Sequence, residues 1–292
     1  MYKIGVVGTQ GGWSSERLAD AVQAQTGFRM LIDMREVGLD LDQGRVTFQD
    51  WDLSSLDGLL IKKIGARYSP DLLDRLEVLR FLFSKGVPIF SSPLSIMRVL
   101  DRLSCTISLK TANLPMPPTV ITESLDKAEQ AVREYREAIF KPLYTSKARG
   151  MALIKDGPSA RQKIQSFKQE NPIMYIQQKI DLPGCDLGLA FLGGEYLGTY
   201  ARCNSTDSWN TTTANGGKYT PYEPTLESIE LARQAQDLFK LDFTTVDLAE
   251  TSKGPMIFEV SAFGGFRGLM QVKDIDAAKL FAEYAMQRIK ES

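Results

Sequence analysis

The sequence has 292 residues, more than one compact domain usually contains, which predicts two or three closely packed units that share a cleft. The formal net charge is -1, because 35 Lys and Arg residues nearly balance 36 Asp and Glu residues, and this excludes an overall field that attracts nucleic acid or an anionic membrane. With no histidine, the chain has no Ser-His-Asp triad and no His-ligated zinc, so any metal must be held by oxygen ligands, which favours Mg²⁺ or Mn²⁺.

The apolar runs, the first residues and the cysteines together bear on the cellular compartment of the protein. The longest apolar runs fall far short of the roughly 20 residues that a membrane span needs. The first residues, 1–8, are too short for a secretory signal and are interpreted as a first strand, so we expect a cytoplasmic protein. Cys105, Cys185 and Cys203 are widely spaced and lack a CxxC pair, which favours buried free thiols over a disulfide scaffold.

The first hundred residues alternate apolar strand-like runs with amphipathic helical runs, which predicts an α/β layer with a parallel sheet. In chain order the predicted elements are Lys3 to Gly8, Glu16 to Ala24, Gly58 to Ile64, Asp71 to Ser84 and Pro88 to Phe90. Two predicted helices follow, from Leu94 to Leu100 and from Arg102 to Thr111. The proline-rich segment 115–118 then predicts a domain hinge.

Beyond the hinge, the pattern predicts a second α/β unit and a third part. The second unit comprises helix Lys127 to Arg136, strands Ala138 to Pro142 and Met151 to Lys155, helix Ser159 to Lys168 and strand Met174 to Ile180. The third part comprises the hairpin Leu187 to Arg202, helix Leu226 to Phe239, strands Thr244 to Glu250 and Pro255 to Val260, and helix Ile275 to Ile289. We therefore expect domains at 1–100, 101–181 and 182–292.

Two acidic residues interrupt the last predicted strands. Asp247 and Glu259 each lie inside an apolar run, where an unpaired buried charge costs several kcal/mol, so both require cations. The turn-forming segment 251–255 suits a hairpin that brings the two carboxylates together on a metal. An ordinary pair of salt-bridged residues fits the same pattern equally well.

A lysine ends one buried strand of the second unit. Lys141 precedes the strand-breaking Pro142, and a lysine in this position can contact phosphate as a compact charge. The small-residue basic loop at 145–150 follows, and its amides can close over a polyphosphate, although a solvated turn is the commoner use of such a loop. The amide-rich strand at 174–181 is uninformative in isolation.

Taken in chain order, these landmarks resemble the ATP-grasp fold: the lysine-proline strand end, the small-residue loop, the Gln-Gln-Lys-Ile strand, the arginine that ends the hairpin, then Val-Asp-Leu and Glu-Val-Ser. The resemblance spans about Ser92 to the C-terminus. It points to the RimK-like carboxylate–amine ligase branch and includes uncharacterised ATP-grasp proteins of the bacterial GAK system. The implied fold is α/β, with an N-terminal Rossmann-like preATP-grasp domain, a lid subdomain and a C-terminal ATP-grasp subdomain.

The resemblance implies an ATP site and assigns residues to it. Lys141 and Arg202 match catalytic positions, and Arg202 resembles the arginine that stabilises the transferred phosphoryl group and the charged intermediate. Arg102 stands where the family usually has a lysine, and a guanidinium binds phosphate with a different geometry. The implied ATP-binding residues are Arg102, Lys141, Ser146, Arg149, Gln178, Lys179, Ile180 and Asp186.

The resemblance also implies metal ligands and a substrate region. Asp247, Glu259 and Ser261 match the Mg²⁺ ligands, but relatives usually have asparagine where this chain has Ser261, a weaker oxygen ligand. The flap at 145–150 has fewer glycines than is usual, which predicts stiffer closure. The segment 209–217 resembles a substrate loop and departs from the pattern of the relatives, for example at Asn215, which predicts a different substrate.

Two further segments are candidates for substrate binding. Ser14 and Ser15 lie where a glycine turn leads into a helix, a suitable place for a carboxylate, although an N-cap with a tight turn explains them equally well. Arg267 can hold an acceptor carboxylate with both arms of its guanidinium, or it can be a surface arginine.

The expected activity is ligation that forms ADP, through an acyl phosphate that an amine attacks. The expected partners are small-molecule or peptide carboxylates and amines, with no nucleic acid and no membrane, and because many relatives are homo-oligomers a dimer or tetramer is favoured. Two alternatives stay open: a small-molecule kinase with the same nucleotide site, and a nucleotide-binding regulatory protein that has lost catalysis.

Overall fold

A computed structural model describes residues 2–145, 148–182, 184–204 and 217–291 of the chain. This part of the protein is a mixed α/β molecule, as the sequence predicts. None of its described helices is both long enough and apolar enough to cross a membrane.

Strands and helices are numbered here in chain order. The strands are β1 (Ile4–Val7), β2 (Leu31–Ile32), β3 (Val37–Asp40), β4 (Arg45–Phe48), β5 (Trp51–Asp52), β6 (Gly58–Ile61), β7 (Ile89–Phe90), β8 (Thr119–Thr122), β9 (Glu137–Lys141), β10 (Ala152–Lys155), β11 (Met174–Gln178), β12 (Cys185–Leu192), β13 (Glu195–Cys203), β14 (Lys218–Pro221), β15 (Phe243–Thr251) and β16 (Gly254–Ser261). The helices are α1 (Trp13–Thr26), α2 (Asp71–Ser84), α3 (Pro93–Leu100), α4 (Arg102–Thr111), α5 (Leu125–Tyr135), α6 (Ala160–Glu170), α7 (Leu226–Asp237), α8 (Phe266–Lys273) and α9 (Ala277–Glu291).

The first sheet is parallel and has the strand order β2-β1-β6-β7. Strands β1 and β6 are buried along their whole length, which explains why both are continuous apolar runs rather than alternating ones. Helix α9, at the end of the chain, packs against α1 and so ties the C-terminal part to this sheet. A small antiparallel sheet, β3-β4-β5, lies between β2 and β6 in the sequence. The sequence pattern predicts no strands in this segment.

Side-chain caps set the helix that carries Arg102. The Asp101 carboxylate accepts a hydrogen bond from the Leu103 amide at 3.0 Å, which starts α4 at Arg102. The preceding helix, α3, is capped in the same way by Ser92, whose hydroxyl accepts from the Ser95 amide at 3.2 Å. Arg102 is consequently fixed at the first residue of its helix and is buried.

Two antiparallel sheets make up the rest of the fold. One has the order β10-β9-β11-β8 and is covered by α5 and α6, and the other has the order β14-β13-β12-β15-β16 and is packed by α7 and α8. The sheets fall inside the ranges 1–100, 101–181 and 182–292 that the sequence predicts as domains. Those boundaries stay a prediction.

The cysteine prediction is wrong for two of the three residues. Cys185 on β12 is the register partner of Cys203 on β13, their Cα atoms are 4.2 Å apart, and the two form a disulfide. Spacing along the sequence gave no sign of this, because only the hairpin register places the two opposite each other. Cys105 is a buried free thiol, as predicted, and burial raises its pKa to about 12.

Candidate active site

Two carboxylates face each other on the last pair of strands. Asp247 on β15 is the register partner of Glu259 on β16, and the pairing is interrupted by a bulge directly after Asp247. Burial raises the pKa of the Asp247 carboxyl to about 6, against the opposite effect of the Arg202 guanidinium. The hairpin therefore brings together the two acidic residues whose convergence the sequence predicts, and their role as metal ligands stays a prediction.

Arg202 lies between two carboxylates. On β13 it stands opposite Asp186 of β12, and its Nε donates to Asp186 Oδ2 at 3.0 Å. Its Nη2 lies 3.0 Å from Asp247 Oδ1 and also contacts Asp186. Burial alone would lower the pKa of Arg202, but these two carboxylates raise it well above its usual range. Arg202 is thus a permanently charged, positioned cation beside the acidic pair.

Lys141 ends β9 with its ammonium group directed at an amide. Its Nζ donates to Gln177 Oε1 at 2.6 Å and lies 5.7 Å from the centroid of the Phe258 ring. Burial, together with the nearby Arg102 guanidinium, lowers the pKa of Lys141 to about 7. The lysine is therefore held in place by a neutral partner, so its charge is not cancelled by a direct ion pair with a carboxylate.

Arg102 joins the flap to the acidic pair. Its guanidinium donates to the carbonyl oxygen of Pro142 and, at 3.3 Å, to that of Thr145, at the start of the loop for which the resemblance predicts a phosphate flap. Its Nη2 also lies 3.6 Å from Glu259 Oε2. Arg102 is thus held by two main-chain carbonyl oxygens as well as by the Glu259 carboxylate.

The end of β11 and the segment after it line the same cavity as Lys141 and Arg102. The amide of Gln178 donates to the carbonyl of Pro118, and the amide of Lys179 donates to that of Glu137. These bonds fix the course of the chain through Ile180, where the resemblance implies an adenine-binding hinge. The Lys179 ammonium group forms ion pairs with Glu137 and Asp181.

One cavity of about 1070 Å³ collects most of the predicted site residues. It has the size and the mixed polar and apolar lining of a small-molecule site. The predicted residues that line it are Ser14, Arg102, Lys141, Arg149, Gln178, Lys179, Ile180, Asp186, Arg202, Asp247, Glu259, Ser261 and Arg267. Ser146 and Asn215 lie outside the described residues.

The two candidate serines, Ser14 and Ser15, have different surroundings. Ser14 lines the cavity, whereas Ser15 is fully buried and its Oγ accepts a hydrogen bond from the Thr9 amide at 3.1 Å. Ser15 thus stabilises the turn before α1, the alternative that the sequence left open. Arg267 is exposed, as the surface alternative predicts, but it belongs to helix α8 and not to a loop. Its guanidinium carbon lies 4.9 Å from the centroid of the Trp13 ring.

Comparison with known proteins identifies this arrangement. The model of the RimK-like ATP-grasp domain family matches residues 99–285, which include the second and third sheets and the described side chains from Arg102 to Arg267. The chain belongs to the RimK-like ATP-grasp family. It is an ATP-grasp ligase by family membership, and its fold is the ATP-grasp fold that the sequence predicts.

Three relatives of this ATP-grasp chain illustrate the match. It is 25% identical to the tetrahydromethanopterin:alpha-L-glutamate ligase of Methanosarcina acetivorans over 97% of this chain and 98% of that protein. A RimK domain ATP-grasp protein of Sphaerobacter thermophilus superposes with a TM-score of 0.76 at 18% identity, over 97% of this chain and 98% of that one. The ATP-grasp ligase PsnB with minimal precursor, Mg and ADP superposes with a TM-score of 0.74 at 16% identity, over 98% and 97% of the two chains.

The donor set of this RimK-like site fits a magnesium ion. It consists of oxygen atoms only: the carboxylates of Asp247 and Glu259 and the hydroxyl of Ser261, all lining the cavity. Mg²⁺ prefers one or two carboxylates together with phosphate and water oxygens rather than a cage made by protein alone. Among the described residues, no group of three or more His, Cys, Asp or Glu side chains is arranged to hold a metal ion.

The sequence gave little sign of three further residues around this ATP-grasp cavity. Lys63 and Tyr68 line it from the loop after β6, and burial raises the pKa of the Tyr68 hydroxyl, which lies near Ser261. Lys62, directly before Lys63, is buried and does not line the cavity. The available signal was the pair of lysines directly after an apolar strand, which in a parallel sheet marks the ligand-binding edge.

Proposed function

We propose that this chain is an ADP-forming ligase that uses ATP to activate a substrate carboxylate and joins it to an amine. The observation that carries this proposal is the convergence of the Asp247 and Glu259 carboxylates with the cations Lys141 and Arg202 in one cavity. Phosphoryl transfer from ATP depends on such positioned charge rather than on a protein nucleophile. A chain without histidine can supply all of these groups.

ATP and Mg²⁺ are the proposed cosubstrate and metal, supported by a structural neighbour, PsnB, that was solved with Mg and ADP. Asp247, Glu259 and Ser261 would hold the metal. When bound, Mg²⁺ neutralises the negative charge of the phosphate oxygens during transfer. Mn²⁺ accepts the same oxygen ligands, and we propose that it can replace Mg²⁺.

The nucleotide would bind along the wall from β9 to the end of β11. Lys141 supplies a charge for the phosphates, since its own hydrogen-bond partner Gln177 is neutral. Arg149, at the end of the flap, lines the same cavity. The fixed main chain at 178–180 supplies the surface for the adenine ring.

The chemistry then proceeds in two displacements. An oxygen of the substrate carboxylate attacks the γ-phosphorus, the bond to ADP breaks, and an acyl phosphate forms. The amine attacks the acyl carbon, phosphate leaves with the bonding electrons, and the ammonium proton is lost to phosphate or water. Arg202, held between Asp186 and Asp247, stabilises the negative oxygen of the tetrahedral intermediate.

The relatives support a substrate class. By name, several ligate glutamate, and PsnB was solved with a precursor peptide, so we propose an amino acid as the amine and a small molecule or peptide as the carboxylate. Arg267, fixed on α8 against Trp13, is proposed to bind a carboxylate of the acceptor. A cytoplasmic location and a homo-oligomeric state stay predictions.

Calorimetric titration with a non-hydrolysable ATP analogue tests the nucleotide site. Wild type is expected to bind the analogue only with Mg²⁺ present, and Glu259→Gln is expected to weaken binding at least tenfold. The matched control is Glu195→Gln, which changes an exposed carboxylate at the start of β13 and is expected to bind like wild type. A folded wild-type protein that fails to bind the analogue at millimolar concentration would sink the proposal.

Product analysis tests the reaction. Pairs of carboxylates and amines are screened for phosphate release, and the products are identified by mass spectrometry. An amide together with ADP supports the ligase. A stable phosphorylated product formed without the amine would instead make the protein a kinase.

A further inference from the structure

Lys62 is a buried lysine that the proposed reaction does not use. It follows β6 directly, and 2% of it is exposed. Its Nζ donates to the carbonyl oxygen of Gly264 and lies 3.8 Å from the centroid of the Phe266 ring and 5.4 Å from that of Phe243. One side chain from the first sheet therefore holds the loop that leads from the acidic strand β16 into α8.

This arrangement is costly for the fold. In the part of the chain that the structure describes, no ion pair joins Lys62 to a carboxylate. Burial lowers the pKa of its ammonium group, and the like-charged Lys63 contributes to this lowering. A buried ammonium group with a carbonyl and aromatic rings as partners is less stable than an apolar side chain of the same shape. Costly groups of this kind cluster at functional sites.

The Lys62 bond fixes the direction of one peptide group. The Gly264 carbonyl points to Lys62, and because the C=O and N–H of a trans peptide point in opposite directions, the N–H of Gly265 is directed away from Lys62. Gly264 and Gly265 line the cavity, whereas Lys62 does not. The Gly265 N–H is thus directed away from Lys62 in a turn whose two glycines line the cavity.

The turn itself leaves little freedom. A Cβ at Gly264 would come within 2.3 Å of Thr245 Cγ2, so this peptide packs directly against β15, two residues before Asp247. Gly265 is the N-cap of α8 and provides no side-chain cap, so the amides of the first helical turn are not satisfied by a capping side chain. Held in this way, the turn presents main-chain donors next to the acidic pair.

We propose that Lys62 is a positioning residue for the ligation reaction: its ammonium group holds the Gly264–Gly265 peptide so that the Gly265 amide and the start of α8 face the reacting atoms. The catalytic part of this inference rests on the proposed ligase function. The positioning part does not, because it concerns only the geometry of the turn. Lys62 acts through Gly265 and does not touch substrate itself.

The experiment compares Lys62→Met with Lys85→Met. Methionine replaces the buried lysine with an apolar chain of similar length, and Lys85 is a matched exposed lysine whose Nζ lies 5.2 Å from the Phe81 ring centroid. Hydrogen exchange measured on a peptide covering residues 262–269 is expected to be at least fivefold faster in Lys62→Met and unchanged in Lys85→Met. The thermal unfolding temperature of Lys62→Met is expected to equal or exceed that of wild type.

Turnover supplies the second measurement, with the carboxylate and amine pair found in the screen. Lys62→Met is expected to lower kcat at least tenfold while the KM for ATP and the affinity for its non-hydrolysable analogue change less than twofold. Lys62→Gln, which keeps an N–H donor without the charge, is expected to recover part of the loss. If Met prevents folding, the Gln variant is measured in the same way.

Each result decides the inference. Faster exchange at the turn in a stable protein supports it, even if the wild type shows no ligation, in which case only the proposed function fails. Unchanged exchange at the turn, or a Lys62→Gln variant that loses stability throughout the protein, overturns it and makes Lys62 an ordinary part of the core.

Discussion

Arg202 and Asp247 form an ion pair that crosses a whole strand: β12 lies between their strands, and the Nη2 and Oδ1 atoms are 3.0 Å apart. The residue of β12 beneath this bridge is Gly188, the register partner of both Asp247 and Tyr200. A Cβ at Gly188 would come within 2.4 Å of the Tyr200 ring. The glycine therefore gives the ring, and the neighbouring guanidinium, room above β12.

Gly188→Ala is expected to disturb the site from beneath. The Tyr200 ring must move to admit the methyl group, at a cost of about 1–3 kcal/mol in the free energy of unfolding, and ligation should fall at least tenfold as Arg202 shifts. Gly38→Ala is the control, because a Cβ there meets Thr47 Oγ1 at 3.2 Å and lies in the small sheet. Chemical denaturation and turnover check both, and a Gly188→Ala protein with normal turnover would contradict this account of the bridge.

Replacing Arg202 should separate chemistry from binding. Arg202→Met is expected to lower kcat by about 10²–10³-fold, the usual effect of removing one donor from an oxyanion site, with nucleotide affinity changed only a few-fold. The same change leaves Asp186 and Asp247 without their guanidinium, so the protein should also lose stability. Steady-state kinetics and calorimetry measure the two effects.

A double variant distinguishes lost catalysis from lost folding. Adding Asp186→Asn to Arg202→Met removes one uncompensated carboxylate and should recover part of the stability. It should not recover kcat. Recovery of both would mean that Arg202 contributes only to the structure of the sheet.

The ionisation of Lys141 should make nucleotide binding depend on pH. Burial lowers the pKa of Lys141 to about 7, so its ammonium charge is lost as the pH rises through neutrality. Affinity for the ATP analogue is expected to rise about three- to tenfold between pH 8.5 and pH 6, because a protonated lysine binds phosphate more strongly. Lys141→Arg stays charged throughout this range and should show a flatter profile; equal slopes in the two proteins would rule out Lys141 as the source.

Much of the candidate site can be predicted from local residue patterns, without knowing which distant segments lie in contact. The carboxylates at Asp247 and Glu259 interrupt apolar strands, and Lys141 ends one, so their unusual placement is visible in a single sequence. The hairpin turn between the first two also fixes their approximate meeting point, which the register confirms. A charge that breaks a strong local pattern can be found before the fold is known.

Relations between distant strands could not be found in this way. The disulfide between Cys185 and Cys203 depends on the register of one hairpin, and the contact between Lys62 and Gly264 joins residues 202 positions apart. Ser15 appeared as a substrate candidate because a turn and a binding loop have the same composition. Only its burial and its bond to Thr9 show what it stabilises.

The disulfide should contribute measurably to stability. It closes a loop with a sequence separation of 18, and a loop of this size restricts the unfolded chain by about 3 kcal/mol in the chain-entropy account. Adding a dithiol reductant is expected to lower the free energy of unfolding by that amount in wild type. The double variant Cys185→Ser and Cys203→Ser should be less stable from the start and insensitive to the reductant, whereas a reductant-insensitive wild type would show that the bond contributes nothing.

Lys62 should leave a signature in the pH dependence of stability. Burial lowers its pKa from 10.5 to about 7, so between these values the unfolded chain binds the proton that the folded protein releases. Stability must then rise with pH across this window, and the destabilisation is complete below pH 7, where both states are protonated. Lys62→Met removes the buried charge and is expected to stabilise the protein by roughly 2–4 kcal/mol at pH 6, after allowing for the unpaired Gly264 carbonyl.

This gain should shrink as the pH rises from 7 towards 10, because the cost of removing the Lys62 proton on folding falls as the pH approaches the pKa of the unfolded chain. Urea denaturation of both proteins from pH 6 to pH 10 gives the difference directly. The comparison cancels the opposite effect of Cys105, whose raised pKa of about 12 makes stability fall above pH 9 in both proteins. A difference that stays constant over the whole range would show that Lys62 keeps its proton in the folded protein throughout, so that burial does not lower its pKa.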